Sequence, residues 1–299
     1  MKLYADEQSV QLAHNVTQHF EMPHDYFKDL FFPGLKPEIL AEDTGCDVRV
    51  IGVQHTDDTV IRKGEHVVFI SIENTDPSTG RTHYKFINKY GHVGHPSVRT
   101  YIHNNCGHPI YTTSYTVLPT VYFRMSHFHA HPEYSVEPKP LAEKKMALFI
   151  SRNGLNDMKQ TLYNTFQRVF PGQCDVLAHD PTVQGKTCYA GKEIIECMSK
   201  YKFIVVIENS ITTGYVTEKI FNAFYAGSIP IYDGTTNPEQ YFGPSCFLLA
   251  RDPQLVRKME VISNDIQLYE EIRDAPKLNE HTLKHARNAV ALFTSTLPR

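Results

Sequence analysis

An α/β fold built on parallel sheet is predicted by three features of this sequence. Strand-sized apolar runs alternate with helical patterns through the second half, those runs have the lengths expected of βα units, and 299 residues leave room for two domains with a core each. Composition agrees, since 41% apolar and 21% charged residues describe an average soluble protein. The net charge of −3 argues against a nucleic-acid binder but leaves room for a local basic pocket.

In the first half, VRVIGVQ at 48–54 and HVVFISIEN at 66–74 are β-branched runs bounded by turn residues and read as strands. Positions 76–108 are rich in Gly, His, Asn, Tyr and Thr and carry no clear period. Prolines and charges gather at 133–145, where periodicity disappears, making this stretch the linker candidate. Domains are therefore expected at 1–140 and 141–299, with the last helix able to cross back to the first domain.

The second half is more regular. MALFIS at 146–151 is a strand, followed by a helix from Asn156 with Met158, Leu162, Phe166 and Val169 near the helical period. CDVLA is a strand, GKEIIECMSKY a helix and KFIVVIE a strand. VTEKIFNAFYAG is helical, with Val216, Ile220, Phe221 and Phe224 on one face and Gly227 as its stop. SIPIYDG and CFLLA are further strands, and one long helical stretch runs from Asp252. This alternation predicts a parallel sheet covered on both faces.

The amino-terminal residues show no signal-like run and no segment is long and apolar enough for a membrane span, so a cytoplasmic protein is expected. Six scattered cysteines without a CxxC pair suit neither a zinc site nor a disulfide framework. His127, His129 and His131 alternate in SHFHAHPEY and would share one face of a strand, but no carboxylate cluster lies nearby, and a polar edge or loop is the expected reading.

The chemistry concentrates in VVIENSITTGYVTEKIF at 205–221. Glu208 and Asn209 fall at a strand end, Tyr215 leads into the next helix, and Glu218 and Lys219 occupy its first turn. In open parallel sheets ligands sit beyond the carboxyl ends of the strands. A helix amino terminus attracts phosphate, and a lysine there is unfavourable to the helix itself, which suggests an arriving anion. Glu218 can accept hydrogen bonds from sugar hydroxyls and Tyr215 can stack on a base. Singly, each residue also fits an ordinary surface or helix-entry role; together at one junction they favour a nucleotide-diphosphate site.

The string ENSITTGYVTEKIFNAFYAGSIPIYDG resembles the signature of the α-1,3/4-fucosyltransferases, glycosyltransferase family ten, in a bacterial- or viral-type form without a stem or anchor. VQGKTC at 183–188 and ISNDIQLYEE at 262–271 are similar to flanking segments of that family. The resemblance implies the GT-B architecture, two Rossmann-like domains facing across a cleft, with the acceptor on the amino-terminal side. It implies inverting transfer of fucose from GDP-fucose to a glycan hydroxyl, with Asn209, Tyr215, Thr217, Glu218 and Lys219, beside Glu208, as donor contacts. A basic residue of the family near the first helix of this domain corresponds by spacing to Lys159, although Arg152 at the strand end stands where strand ends face the cleft. A lysine lacks arginine's bidentate fork. The family's glutamate base corresponds to Glu73 in SIENTDP, where Ile72 replaces a glycine and Asp76 competes for the role.

No DxD-like pair adjoins the donor signature, and Asp57-Asp58 lies in a first-half loop, so no obligatory metal is expected. A transferase using another nucleotide sugar, such as UDP-xylose, and a non-catalytic nucleotide-sugar or glycan binder are the alternatives.

Overall fold

The computed structural model describes residues 1–5, 28–40, 42–52, 60–71, 93–103, 108–151, 155, 157–178 and 191–298. The chain divides into two compact units. One is Met1–Ala130 with Ser210–Thr217 and Glu280–Arg299, and the other is His131–Asn209 with Glu218–Asn279.

The first unit holds a seven-stranded sheet of β1 (Lys2–Ala5), β2 (Glu38–Ile39), β3 (Val48–Gly52), β4 (His66–Ser71), β5 (Thr100–His103), β6 (Ile110–Tyr111) and β7 (Thr116–Pro119). The order is β2-β1-β3-β4-β5-β7-β6. Every pairing is parallel except β6 with β7, a short antiparallel edge. β3 is buried along its whole length and β4 nearly so, which explains why both are mostly apolar rather than alternating, with Arg49 the buried exception in β3. Helix α1 (Thr120–Ala130) and helix α7 (Glu280–Thr296) pack here, with Phe123 meeting Phe293 edge-on at 5.7 Å.

An ion cluster also lies in this unit. Arg49, 1% exposed, donates from Nε to Glu65 at 2.6 Å and from its terminal nitrogens to Asp43 at 2.8 and 3.2 Å. Arg62 pairs with the same Asp43. The SHFHAH run is part of α1, not a strand: His127 and His129 lie on that helix and His131 beyond it, so the three rings do not share a face. Among the described residues no three His, Cys, Asp or Glu side chains gather as metal ligands.

The second unit is a five-stranded sheet of β8 (Lys145–Ser151), β9 (Cys174–Ala178), β10 (Tyr201–Ile207), β11 (Ile229–Asp233) and β12 (Leu248–Leu249). Its order is β12-β11-β10-β8-β9 and all pairings are parallel. Val205 sits opposite Phe149 on one side and Ile231 on the other. Helices α2 (Asp157–Val169), α3 (Gly191–Met198), α4 (Glu218–Tyr225), α5 (Leu255–Asn264) and α6 (Ile266–Asp274) complete the unit. Phe149, Phe166, Phe203, Met259 and Tyr269 are all buried in the core, each contributing about 1.5–3 kcal/mol through apolar burial.

Beyond Asp252 the single helical stretch expected from sequence is three helices. Asp265 divides the first two: its backbone N–H ends α5 on Ile262, and its carboxylate accepts the Leu268 N–H at 3.0 Å as the amino-terminal cap of α6. Helix α4 stops as expected at Gly227, whose φ is 58°. Its N–H bonds to Phe224 O and that of Ser228 to Ala223 O, the paired bonds of a Schellman turn. The proline-rich 133–145 stretch packs on this turn, with the Val136 N–H bonded to Tyr225 O at 3.0 Å. Lys144, 4% exposed, donates to Gly227 O at 2.8 Å and to the Tyr269 hydroxyl at 3.3 Å.

Candidate active site

The carboxyl ends of β8, β10 and β11 bring together the polar side chains of the second unit. Glu208 directly follows β10, and its N–H continues the ladder by bonding to Asp233 O at 2.8 Å. Its carboxylate is fully buried and accepts a hydrogen bond from Lys219 Nζ at 2.9 Å. Lys219, in the first turn of α4, is 27% exposed and lies 3.9 Å from the Glu218 carboxylate. The cation at the wrong end of a helix is thus answered by a carboxylate from the preceding strand. The mismatch read in the sequence as a sign of an incoming anion has this internal partner.

Lys159 belongs to the same group. It is 7% exposed, stands in the first turn of α2 and donates to Ile150 O at the end of β8 at 3.0 Å. Burial first, then the charge of Lys219, bring its ammonium down to about 8, while Glu208 opposes them.

Behind Glu208 lies a tight corner. Tyr232 is 1% exposed, and its hydroxyl accepts the Thr235 N–H at 3.2 Å. Burial, and secondly the Glu208 charge, push its phenol well above the usual value. Gly234 carries no Cβ where one would stand 2.6 Å from Glu208 Cγ. At the β11 end Asp233 accepts two hydrogen bonds from Arg251, at 2.9 and 3.0 Å, and the arginine is 62% exposed.

Of the residues expected from sequence, Lys159, Glu208, Glu218 and Lys219 meet at this sheet edge, with Asn209 exposed beside them. Tyr215 and Thr217 lie on the 210–217 segment grouped with the first unit and are 1% and 4% exposed. A ring as enclosed as that of Tyr215 presents no open face for stacking in this conformation. Glu73, Asp76, Arg152, Asp57-Asp58 and the VQGKTC segment lie outside the described residues. Sequence reasoning passed over Tyr232, Gly234 and Arg251. The Tyr-Asp-Gly ending SIPIYDG was the available signal, because it marks the strand end next to that of Glu208.

These features define a class: a GT-B-type α/β protein of two Rossmann-like units with a lysine–carboxylate cluster at the strand ends of one. Residues 140–274 match the family described as glycosyltransferase family 10 (fucosyltransferase), C-terminal. That match spans less than half of the chain, and it is a similarity to that family's carboxyl-terminal domain.

Among curated relatives, an alpha-(1,3)-fucosyltransferase of Helicobacter pylori is 28% identical over 134 residues, 45% of this chain and 27% of that protein. An alpha-(1,4)-fucosyltransferase of Arabidopsis thaliana is 49% identical over 47 residues, 16% and 12% of the two chains. The chain thus matches about a quarter or less of these relatives' lengths. A crystal structure of an alpha1,3-fucosyltransferase with GDP superposes with a TM-score of 0.62 at 15% identity, covering 99% of this chain and 89% of that one. Another, with GDP-fucose, gives 0.58 at 15% identity, covering 97% and 90%. At that identity the likeness establishes the fold. No described helix is long and apolar enough to cross a membrane.

Proposed function

We propose that this chain is an inverting fucosyltransferase moving fucose from GDP-fucose to a hydroxyl of a glycan acceptor. One observation carries the reading: Lys219 pairs with the buried Glu208 carboxylate at 2.9 Å, and Lys159, anchored on Ile150 O, feels the charge of both, at the strand ends of the segment that matches the family. That edge suits the leaving diphosphate, whose charge grows as the bond to the sugar breaks. The α4 amino terminus adds backbone N–H groups, and Glu218, 24% exposed, can accept from sugar hydroxyls. Asn209 completes the donor side in this reading, with either Arg152 or Lys159 holding the phosphate.

In the reaction the acceptor oxygen attacks the anomeric carbon as the carbon–oxygen bond to the diphosphate breaks. Glu73 takes the acceptor proton and GDP leaves with the bonding electrons. Guanine is favoured over uracil because the structural neighbours bind GDP and GDP-fucose by their descriptions.

The test is GDP release from GDP-fucose, with UDP-xylose as the competing donor, over a panel of β-galactoside and N-acetylglucosamine acceptors. Acceptor-dependent release from GDP-fucose alone is the expected result, abolished in Glu73→Gln with GDP affinity retained. Turnover of UDP-xylose instead, or of neither donor while GDP leaves the melting temperature unmoved, would overturn the proposal.

A further inference from the structure

We propose that Glu208 is a positioning residue: it holds Lys219 at the carboxyl end of the sheet and supplies the counter-charge of the Lys159–Lys219 pair, without itself touching the donor. The inference rests on reading this edge as the diphosphate site, and it assigns Glu208 a different part from that of a donor contact.

Exposure is the first argument. The Glu208 carboxylate is fully buried, whereas Lys219 is 27% exposed. A ligand arriving from solvent meets the lysine, and the lysine meets the glutamate at 2.9 Å.

The second argument is the slot in which Glu208 lies. Gly234 leaves space that a Cβ would fill, 2.6 Å from Glu208 Cγ and 2.4 Å from the Tyr232 hydroxyl. Tyr232 closes the other wall and is itself tied to the Thr235 N–H. A side chain confined this closely has few rotamers, so the ion pair fixes the direction in which Lys219 points. A lysine otherwise has rotamer entropy to lose when it engages an anion.

The third argument is electrostatic. Among the described residues, the Lys219 charge disfavours the Lys159 proton and the Glu208 charge favours it; the Lys159 ammonium donates to Ile150 O. Glu208 in turn faces Lys219 and Tyr232, and neighbouring Asp233 is engaged by Arg251. With burial already bringing Lys159 to about 8, loss of the Glu208 charge lowers it further. Anion binding favours the protonated lysine. Affinity therefore falls as pH rises through that value, and without Glu208 the fall comes at lower pH.

The experiment is calorimetric titration of the full chain with GDP from pH 6 to 9, for wild type, Glu208→Gln, Lys219→Ala and the double variant, after circular dichroism confirms folding. The expected result is an affinity loss in Glu208→Gln of about tenfold at pH 8 and far less at pH 6. The loss should shrink, without vanishing, in the Lys219→Ala background, because the part carried by the Glu208–Lys219 pair is then absent while the Glu208 charge still acts on Lys159. A purely structural role would lower affinity equally at every pH. An unmoved pH midpoint with additive losses overturns the inference while leaving the donor reading intact, whereas wild type that binds no GDP removes both. Should Glu208→Gln unfold, Glu208→Asp keeps the charge on a shorter arm. Weaker binding with the wild-type pH midpoint then supports the assignment, and a midpoint moved to lower pH contradicts it.

Discussion

Gly234 and Tyr232 approach so closely that a Cβ on the glycine would stand 2.4 Å from the tyrosine hydroxyl. Tyr232 is 1% exposed and cannot yield by swinging outward. Gly234→Ala is therefore expected to destabilise the chain by about 1–3 kcal/mol, the usual penalty of overpacking. It should also weaken GDP binding by displacing Glu208. Urea denaturation and calorimetry check the two effects. Wild-type stability in the variant would show that the corner is loose.

Gly227 combines a φ of 58° with a neighbour, Pro138, whose Cγ would lie 2.9 Å from an added Cβ. An alanine there is strained twice over, by backbone conformation and by contact. Gly227→Ala should cost about 1–3 kcal/mol in denaturant unfolding, against a few tenths for a solvent-facing substitution such as Lys258→Ala.

Lys144 gives a pH-dependent expectation. Burial, and secondly Arg273, bring its ammonium from 10.5 down to about 8. Between those values the unfolded chain binds the proton and the folded chain does not. This group therefore adds stability as pH rises from about 8 towards 10.5. Other groups titrate in the same range, notably the Tyr269 phenol and the buried Cys174 and Cys246 thiols, all pushed upward by burial. The informative quantity is the difference between wild type and Lys144→Met, which should grow in favour of wild type from pH 8 to 10. A constant difference would contradict the assignment.

At the other end of the pH scale stands the Arg49 cluster. Its hydrogen bonds lead in holding the Asp43 carboxyl below the usual value, and for Glu65 they overcome the opposing effect of burial. Depressed carboxylates contribute stability that is present above their unfolded values and lost as pH falls through the folded ones. Arg49→Met is expected to lose about 3–5 kcal/mol at neutral pH, since it leaves Glu65 buried without its main partner. The variant should also show a shallower loss of stability between pH 5 and 2 than wild type. Unfolding midpoints across that range provide the check.

Much of the second unit was legible because its central strands are buried apolar runs and most of its helices carry an apolar stripe. Phe203, Val205 and Ile207 in β10, and Ile220, Phe221 and Phe224 in α4, follow those patterns directly. The Gly227 stop was legible for the same local reason. Helix α1 was not, because Thr120 to Met125 are all buried and the sequence has no polar face to reveal a helical period. Alternating histidines then imitated a strand.

The site divides in a similar way. Glu208, Glu218 and Lys219 could be singled out as residue types at a strand-to-helix junction. That Lys219 pairs with Glu208, eleven positions earlier, depends on how β10 and α4 meet. That Lys159 joins them depends on β8 lying beside β10. Pairing across strands is invisible to local patterns, and the same is true of the Gly234 corner.

The central claim is that a donor diphosphate docks on the Lys219 side of this sheet edge. A crystal structure of the chain with GDP tests it most directly. Phosphate oxygens are expected within hydrogen-bonding distance of Lys219 Nζ, with the Glu208 carboxylate behind that lysine and away from the ligand. A diphosphate bound elsewhere, or one that leaves Lys219 without a phosphate contact, would contradict it.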